Sequence, residues 1–183
     1  MSVVLEDEAR RLRLRPPVAA DAEPLYAAVR ESMHTVGRWM SWCHAGYALG
    51  DVKDWIARCE ASWAGEGDRE FGIFDAKSGE PLGCAGINQI NHVHDFGNLG
   101  YWVRASRERR GVAHAAARAI ARYGFAELGL ARLEIVVHPD NAASRRVAEK
   151  VGARFEAIAR NRLVFKARPT DAAVYALIPA DIL

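Results

Sequence analysis

The sequence is short of cysteine, of lysine and of long apolar runs, and each shortage closes off a class of protein. Its three cysteines, Cys43, Cys59 and Cys84, form no CxxC pair, so neither a disulfide framework nor a cysteine zinc site is expected. No stretch approaches the 18 or so apolar residues of a membrane span. The opening MSVVLEDEARRLRLR lacks an apolar core followed by a cleavage site, so no secretion signal is read and a cytoplasmic protein is expected. Repeats, low-complexity stretches and long Pro/Gly linkers are missing too, and 183 residues suit one domain over 1–183. The charge balance is nearly even, 25 basic against 23 acidic residues, which counts against a nucleic-acid binder. Among the basic residues lysine contributes only 4 and arginine 21, and guanidinium is the better fork for phosphate.

What is present is regular patterning. Arg10 to Arg15 alternates arginine with Leu12 and Leu14 before Pro16-Pro17 and reads as a first strand. Asp21 stands where a helix cap would, with Pro24 in the first turn and Leu25, Ala28 and Val29 on one face. His34 to Gly50 is irregular and aromatic-rich. A second helix is expected after Asp51, with Val52, Trp55, Ile56, Cys59 and Trp63 at helical spacing. Strands are expected near 70–75, 82–90 and 98–104, then a long helix from Gly111 to about Gly129. Leu133, Ile135 and Val137 alternate as a strand, Asn141 opens a short helix closed by Gly152, and 155–163 with 172–178 form a final antiparallel pair. Consecutive strands early and βαβ units late predict an α+β (mixed α/β) domain, a mixed sheet with helices on both faces.

The most informative segment is Tyr101-Trp-Val-Arg-Ala-Ser-Arg-Glu-Arg-Arg-Gly-Val-Ala-His114, a strand, a basic turn and a helix. A helix N-terminus offers free N–H groups and partial positive charge, so a phosphate there is held by several amides at once. Gly111 permits close approach, Ala113 keeps the first turn narrow, and Arg107, Arg109 and Arg110 add charge. A solvated basic turn is the plain alternative. No GxxxxGK[ST] is present, and no GxGxxG follows a strand, which disfavours a P-loop nucleotidase and a dinucleotide site.

A second strand–turn–helix unit follows from Leu133 to Phe155. With it the chain resembles the GNAT superfamily of acetyl-CoA-dependent N-acetyltransferases. The family's phosphate loop, Q/R-x-x-G-x-G/A, is matched by Glu108-Arg-Arg-Gly111-Val-Ala113, with Glu108 standing where Gln or Arg is usual. Asn141, Ser144, Lys150 and Gly152 resemble the N-x-x-S-x-x-x-x-x-K-x-G of the RimJ/RimL-type branch, as do Trp39-Met-Ser-Trp42 and Leu99-Gly-Tyr-Trp102.

The resemblance implies a mostly antiparallel twisted sheet whose splayed strand pair holds acetyl-CoA as co-substrate, with no metal. Trp102, Val103 and Arg104 would meet the pantetheine arm through the strand backbone. The pyrophosphate would sit on the amides of Arg109, Arg110, Gly111, Val112, Ala113 and His114. Asn141 would orient the pantetheine arm, and Arg146 would reach the 3′-phosphate unless it is a solvated surface residue. Partners would be acetyl-CoA and an amine or peptide N-terminus, with a homodimer suggested and neither nucleic acid nor membrane expected.

A free amine with a pKa of about 8–10 is mostly protonated at neutral pH, so the site must take a proton before attack. A strand amide, for which Val103 N–H is the candidate, stabilises the oxyanion. Ser144 occupies the place of the group that assists the departing thiolate; otherwise it bonds its own helix. Branch members often carry a Glu where Asn98 stands, and Asn takes no proton. His92 and His94 are therefore candidate bases, with solvated turn histidines as the alternative. Together with Asp95 they would face Trp39, Met40 and Trp42 across an acceptor groove, unless those aromatics pack under a loop. Two functions remain open: acetyl transfer to a primary amine, and an inactive acyl-CoA-binding sensor, which the missing Glu at 98 favours.

Overall fold

The computed structural model describes residues 3–182, so residues 1, 2 and 183 of the expected domain lie outside the described residues. Eight strands form one sheet in the order β1-β2-β3-β4-β5-β6-β8-β7. They are β1 (Leu5–Asp7), β2 (Leu12–Arg15), β3 (Arg69–Asp75), β4 (Pro81–Asn91), β5 (Phe96–Val103), β6 (Arg132–Val137), β7 (Arg154–Phe165) and β8 (Arg168–Leu177). Every pairing is antiparallel except β5 with β6. The helices are α1 (Ala22–Glu31), α2 (Leu49–Trp63), α3 (Val112–Ala126), α4 (Ala142–Val151) and the single turn α5 (Pro179–Ile182). The mixed, mostly antiparallel sheet matches the expected class; β1 and α5 are additions that the sequence pattern did not signal. Among the described residues no helix is long and apolar enough to cross a membrane.

Alternation and helical spacing explain the two layers. Leu12, Leu14, Phe71, Ile73, Ile87, Leu99, Leu133 and Ile135 are buried in one cluster with α3, whose Ala116, Ala117, Ile120 and Ala121 are fully covered. Small residues on α3 let the helix lie close to the sheet. On the other face Ala22 and Leu25 of α1 and Val52 and Ile56 of α2 pack with Cys84 of β4. The expected start of α2 moves by three residues: Asp51 lies inside the first turn and accepts the Ala48 N–H at 2.7 Å. Asp21 makes no side-chain cap bond to α1. It receives Arg15 on both oxygens, at 2.6 and 2.7 Å, tying β2 to the helix start.

The C-terminal end of α1 clasps the turn that follows β5. Glu31 receives Arg104, with Nε at 3.1 Å, and the Ser106 N–H at 2.7 Å. Ser32 Oγ accepts the Ala105 N–H at 3.0 Å and donates to Ala28 O at 2.6 Å. The Arg104 guanidinium holds the Glu31 carboxyl down at about 2. Because that value lies below the unfolded one, the contribution is full above about pH 4.3 and is lost as pH falls towards 2. Glu31→Gln should cost about 1–2 kcal/mol at neutral pH, since a charged hydrogen bond is lost from a partly exposed site. Urea unfolding of parent and variant at neutral pH and near pH 3 should show the difference shrinking in acid; an equal difference at both would refute it.

Candidate active site

β5 and β6 pair through only three positions, Phe96 with Arg132, Gly97 with Leu133 and Asn98 with Glu134. Beyond Asn98 the two strands keep their other partners. β5 stays on β4 as far as Gly83–Val103, and β6 stays on β8 as far as Val137–Ala173. The parallel pair therefore opens into a splay. The Arg104 N–H bonds Leu82 O at 2.9 Å on the β4 side. By the alternation of an antiparallel ladder, Trp102 also bonds towards β4, while the backbone groups of Tyr101 and Val103 turn into the splay. Of the three backbone positions expected to meet a ligand there, Val103 opens on it, and Tyr101 joins it. Arg104 is instead a structural residue: its guanidinium pairs with Glu31 and with Glu80 Oε1 at 2.6 Å.

The turn after β5 ends on a helix with free donors. Gly111 adopts φ +78°, a conformation that L side chains rarely take, and Arg109, two residues earlier, sits at φ +60°. α3 then starts at Val112, so the N–H groups of Val112, Ala113 and His114 have no partner inside the helix. Arg109 and Arg110 are exposed, as is Glu108. Arg107 is not available to a ligand, because Glu80 holds it. A cation the sequence reading missed stands nearby: a Cβ on Gly111 would lie 3.3 Å from Arg10 Nε, in the turn between β1 and β2. The His114 ring lies 3.2 Å from Lys150 O and joins α3 to α4.

On α4, Asn141 is the N-cap, its Oδ1 accepting the Ser144 N–H at 3.1 Å. Its Nδ2 is left over for other partners. Ser144 Oγ donates to the Tyr101 hydroxyl at 3.2 Å, and the Tyr101 hydroxyl donates to Ser144 O at 3.0 Å. Thus a hydroxyl pair bridges the splay from β5 to α4. Burial pushes the Tyr101 phenol up to about 12, so it keeps its proton at neutral pH. Arg146 is 73% exposed and lies 3.7 Å from Glu149, as a solvated surface residue would.

The opposite side of β5 meets a cavity of about 500 Å³ between the sheet and α1–α2. Cys84, Gly100 and Trp102 line its sheet side, and Met40, Trp42 and Tyr47 close it from the loop. Trp42 meets Trp102 edge-on at 5.8 Å and Tyr47 at 5.5 Å. Trp39 does not reach this cavity; it packs on His138 at 5.4 Å, and His138 packs on Phe165. His92, His94 and Asp95 do not line it either. They are exposed in the β4–β5 turn, with His92 Nε2 3.1 Å from Glu66 O and the Asp95 carbonyl accepting from Ala131 at 2.7 Å. Extended chain rises about 3.3 Å per residue, so that turn is about 20 Å along β5 from Tyr101. The groove expected between that turn and the tryptophans is not formed. Three acidic residues line the cavity, Asp51 and Asp54 from α2 and Glu70 from β3, and sequence reasoning passed over Glu70. Its one signal is a charge on the same strand face as Gly72 and Phe74. Among the described residues no group of three or more His, Cys, Asp or Glu is placed to hold a metal.

The sequence profile of the acetyltransferase (GNAT) domain matches residues 11–154. The chain belongs to the GNAT acetyltransferases. It is 27% identical over 181 residues to the uncharacterized N-acetyltransferase YoaA of Bacillus subtilis (strain 168), covering 93% of this chain and 95% of that one. A Vibrio cholerae structure provisionally named a ribosomal-protein-serine acetyltransferase superposes with a TM-score of 0.85 at 30% identity, covering 97% and 98% of the two chains. RimJ of Mycobacterium smegmatis, solved in complex with CoA-disulfide, superposes at 0.84 with 25% identity over 99% of this chain and 88% of that one. Membership of the GNAT family supports acetyl transfer from acetyl-CoA.

Proposed function

We propose that this GNAT protein is a RimJ/RimL-type N-acetyltransferase that moves the acetyl group of acetyl-CoA to a primary amine, a protein N-terminal α-amine or a small amine, by direct attack on the thioester, acting as one domain. The observation that carries the reading is that Tyr101 and Trp102 stand between two spaces. The splay opens on the α4 side of β5, and a cavity large enough for an amine lies on the other. In this reading the amides of Val112, Ala113 and His114 hold the pyrophosphate, with charge from Arg109 and Arg110. Val103 N–H meets the oxyanion of the tetrahedral intermediate. The Ser144–Tyr101 hydroxyl pair receives the charge of the departing thiolate. Met40 and Trp42 hold the acceptor, while Trp39 packs on His138 outside the cavity. The name of the Vibrio relative, a ribosomal-protein-serine acetyltransferase, favours a protein acceptor.

Incubating the protein with acetyl-CoA and a panel of amines and peptides, with CoA release and product mass as readouts, tests this reading. CoA binding without transfer to any acceptor would replace the enzyme by the acyl-CoA sensor. Trp42→Ala should raise the acceptor KM about 5–10-fold, the loss of one aromatic contact, and leave the acetyl-CoA KM within twofold. A change confined to acetyl-CoA would remove Trp42 from the acceptor site.

A further inference from the structure

We propose that Glu70 is the general base of this acetyl transfer, taking the proton from the acceptor's ammonium group at the sheet side of the cavity. The proposal rests on the amine-acetylating reading above and names the residue that readies its nucleophile. Glu70 lines the cavity with Cys84, Asn88, Gly100 and Trp102, on the β5 side opposite the splay. Asn88 Nδ2 donates to Glu70 Oε1 at 3.3 Å, and Asn98 Nδ2 donates to Asn88 Oδ1 at 2.9 Å. A carboxylate only accepts, so it sets the direction of both amides. The far end of this chain, Asn98 Oδ1, is buried and without a hydrogen-bond partner among the described residues. Asn98 itself does not line the cavity, so this chain of amides serves to fix the Glu70 carboxylate beside it. Room for the carboxylate is made by Gly86, where a Cβ would stand 2.5 Å from Glu70 Oε2.

The surroundings suit a base. Burial raises the Glu70 carboxyl above the usual range; Asn88 works against this, and Asp68 adds to it. From α2, Asp51, Asp54 and Arg58 face the same cavity, two negative charges and one positive. His44 and Tyr47 face it from the preceding loop and Cys84 from β4, while the Cys59 thiol of α2 feels the Glu70 charge. An arriving ammonium is attracted by the α2 carboxylates and meets a carboxylate whose proton affinity is closer to its own than that of a solvated Glu.

The step balances as follows. One N–H bond of the ammonium breaks and its proton passes to Glu70. The freed nitrogen lone pair forms the N–C bond to the acetyl carbon. The C–S bond breaks with its electron pair on sulfur, and a second nitrogen proton neutralises the thiolate. Glu70 then returns its proton to water.

The test is the pH dependence of kcat/KM for an amine turned over by the parent, measured over about pH 5.5–9.5. The parent should hold a plateau between the raised Glu70 value and the pKa of the amine, and fall below it as the carboxyl protonates. Glu70→Gln should lose about 10²-fold at neutral pH, the usual scale of general base assistance. Its rate should then climb about tenfold per pH unit, as the free amine supplies itself. CoA affinity by calorimetry should be unchanged. Glu70→Asp, which keeps a carboxylate, should keep the plateau at a lower rate. A Gln variant retaining the parent's plateau and rate, an Asp variant losing the plateau, or a loss of CoA affinity in step with the rate would each overturn the role of Glu70 alone. A parent that acetylates none of the amines would overturn the acetyltransferase reading and this proposal with it.

Discussion

Gly111→Glu is expected to bind CoA about a hundredfold more weakly than the parent, a difference of about 2.7 kcal/mol. Two effects add. Gly111 sits at φ +78°, where any Cβ is strained by about 1–2 kcal/mol, so the turn relaxes and the amides of Val112 and Ala113 lose their aim. The new carboxylate also puts a negative charge at the helix N-terminus where the phosphates are expected, and like charges a few ångströms apart near a surface repel by several kcal/mol before screening. The added Cβ meets only Arg10 Nε at 3.3 Å, the end of a mobile side chain, so the fold itself should survive. Calorimetry on a variant with parental circular dichroism measures the loss. An unchanged affinity would remove the pyrophosphate from this turn.

Ser144→Ala should lower kcat by about 10–100-fold while CoA affinity stays within about twofold. The hydroxyl lies 3.2 Å from the Tyr101 oxygen, across the splay, and its bond to a departing sulfur strengthens only as negative charge develops. General acid assistance is worth about 10²–10⁴-fold, and a thiolate leaves readily, so the low end applies. Tyr101→Phe, which removes the other half of the hydroxyl pair, should fall in the same direction. Steady-state kinetics under conditions where chemistry limits the rate decide the matter. A kcat within twofold of the parent in Ser144→Ala would leave Ser144 as a residue that only joins α4 to β5.

What the sequence by itself determined is what short-range chemistry encodes. The alternation of Leu133, Ile135 and Val137, the helical spacing of Val52, Ile56 and Cys59, the glycine at the β5–α3 junction and the Asn141 cap each act within a few residues. The elements they predict appear with bounds shifted by one to a few residues. The phosphate-loop motif at Glu108 to Ala113 and the Asn141, Ser144, Lys150 and Gly152 pattern carried the resemblance to the GNAT family. The residues around the cavity were not legible in this way, because their partners are far apart in the chain. Glu70 reads as an ordinary strand charge until β4 brings Asn88 to it, 18 residues on. Arg104 reads as one more cation beside the phosphate turn until α1 presents Glu31, 73 residues earlier. His92 and His94 share a motif neighbourhood with the Gly-Tyr-Trp strand, yet an extended strand carries them about 20 Å from its functional end. Pairing of strands sets which side chains meet, and burial sets their proton affinity. Both belong to the tertiary structure, which set beside the phosphate-binding motif a cleft lined by a partly buried carboxylate.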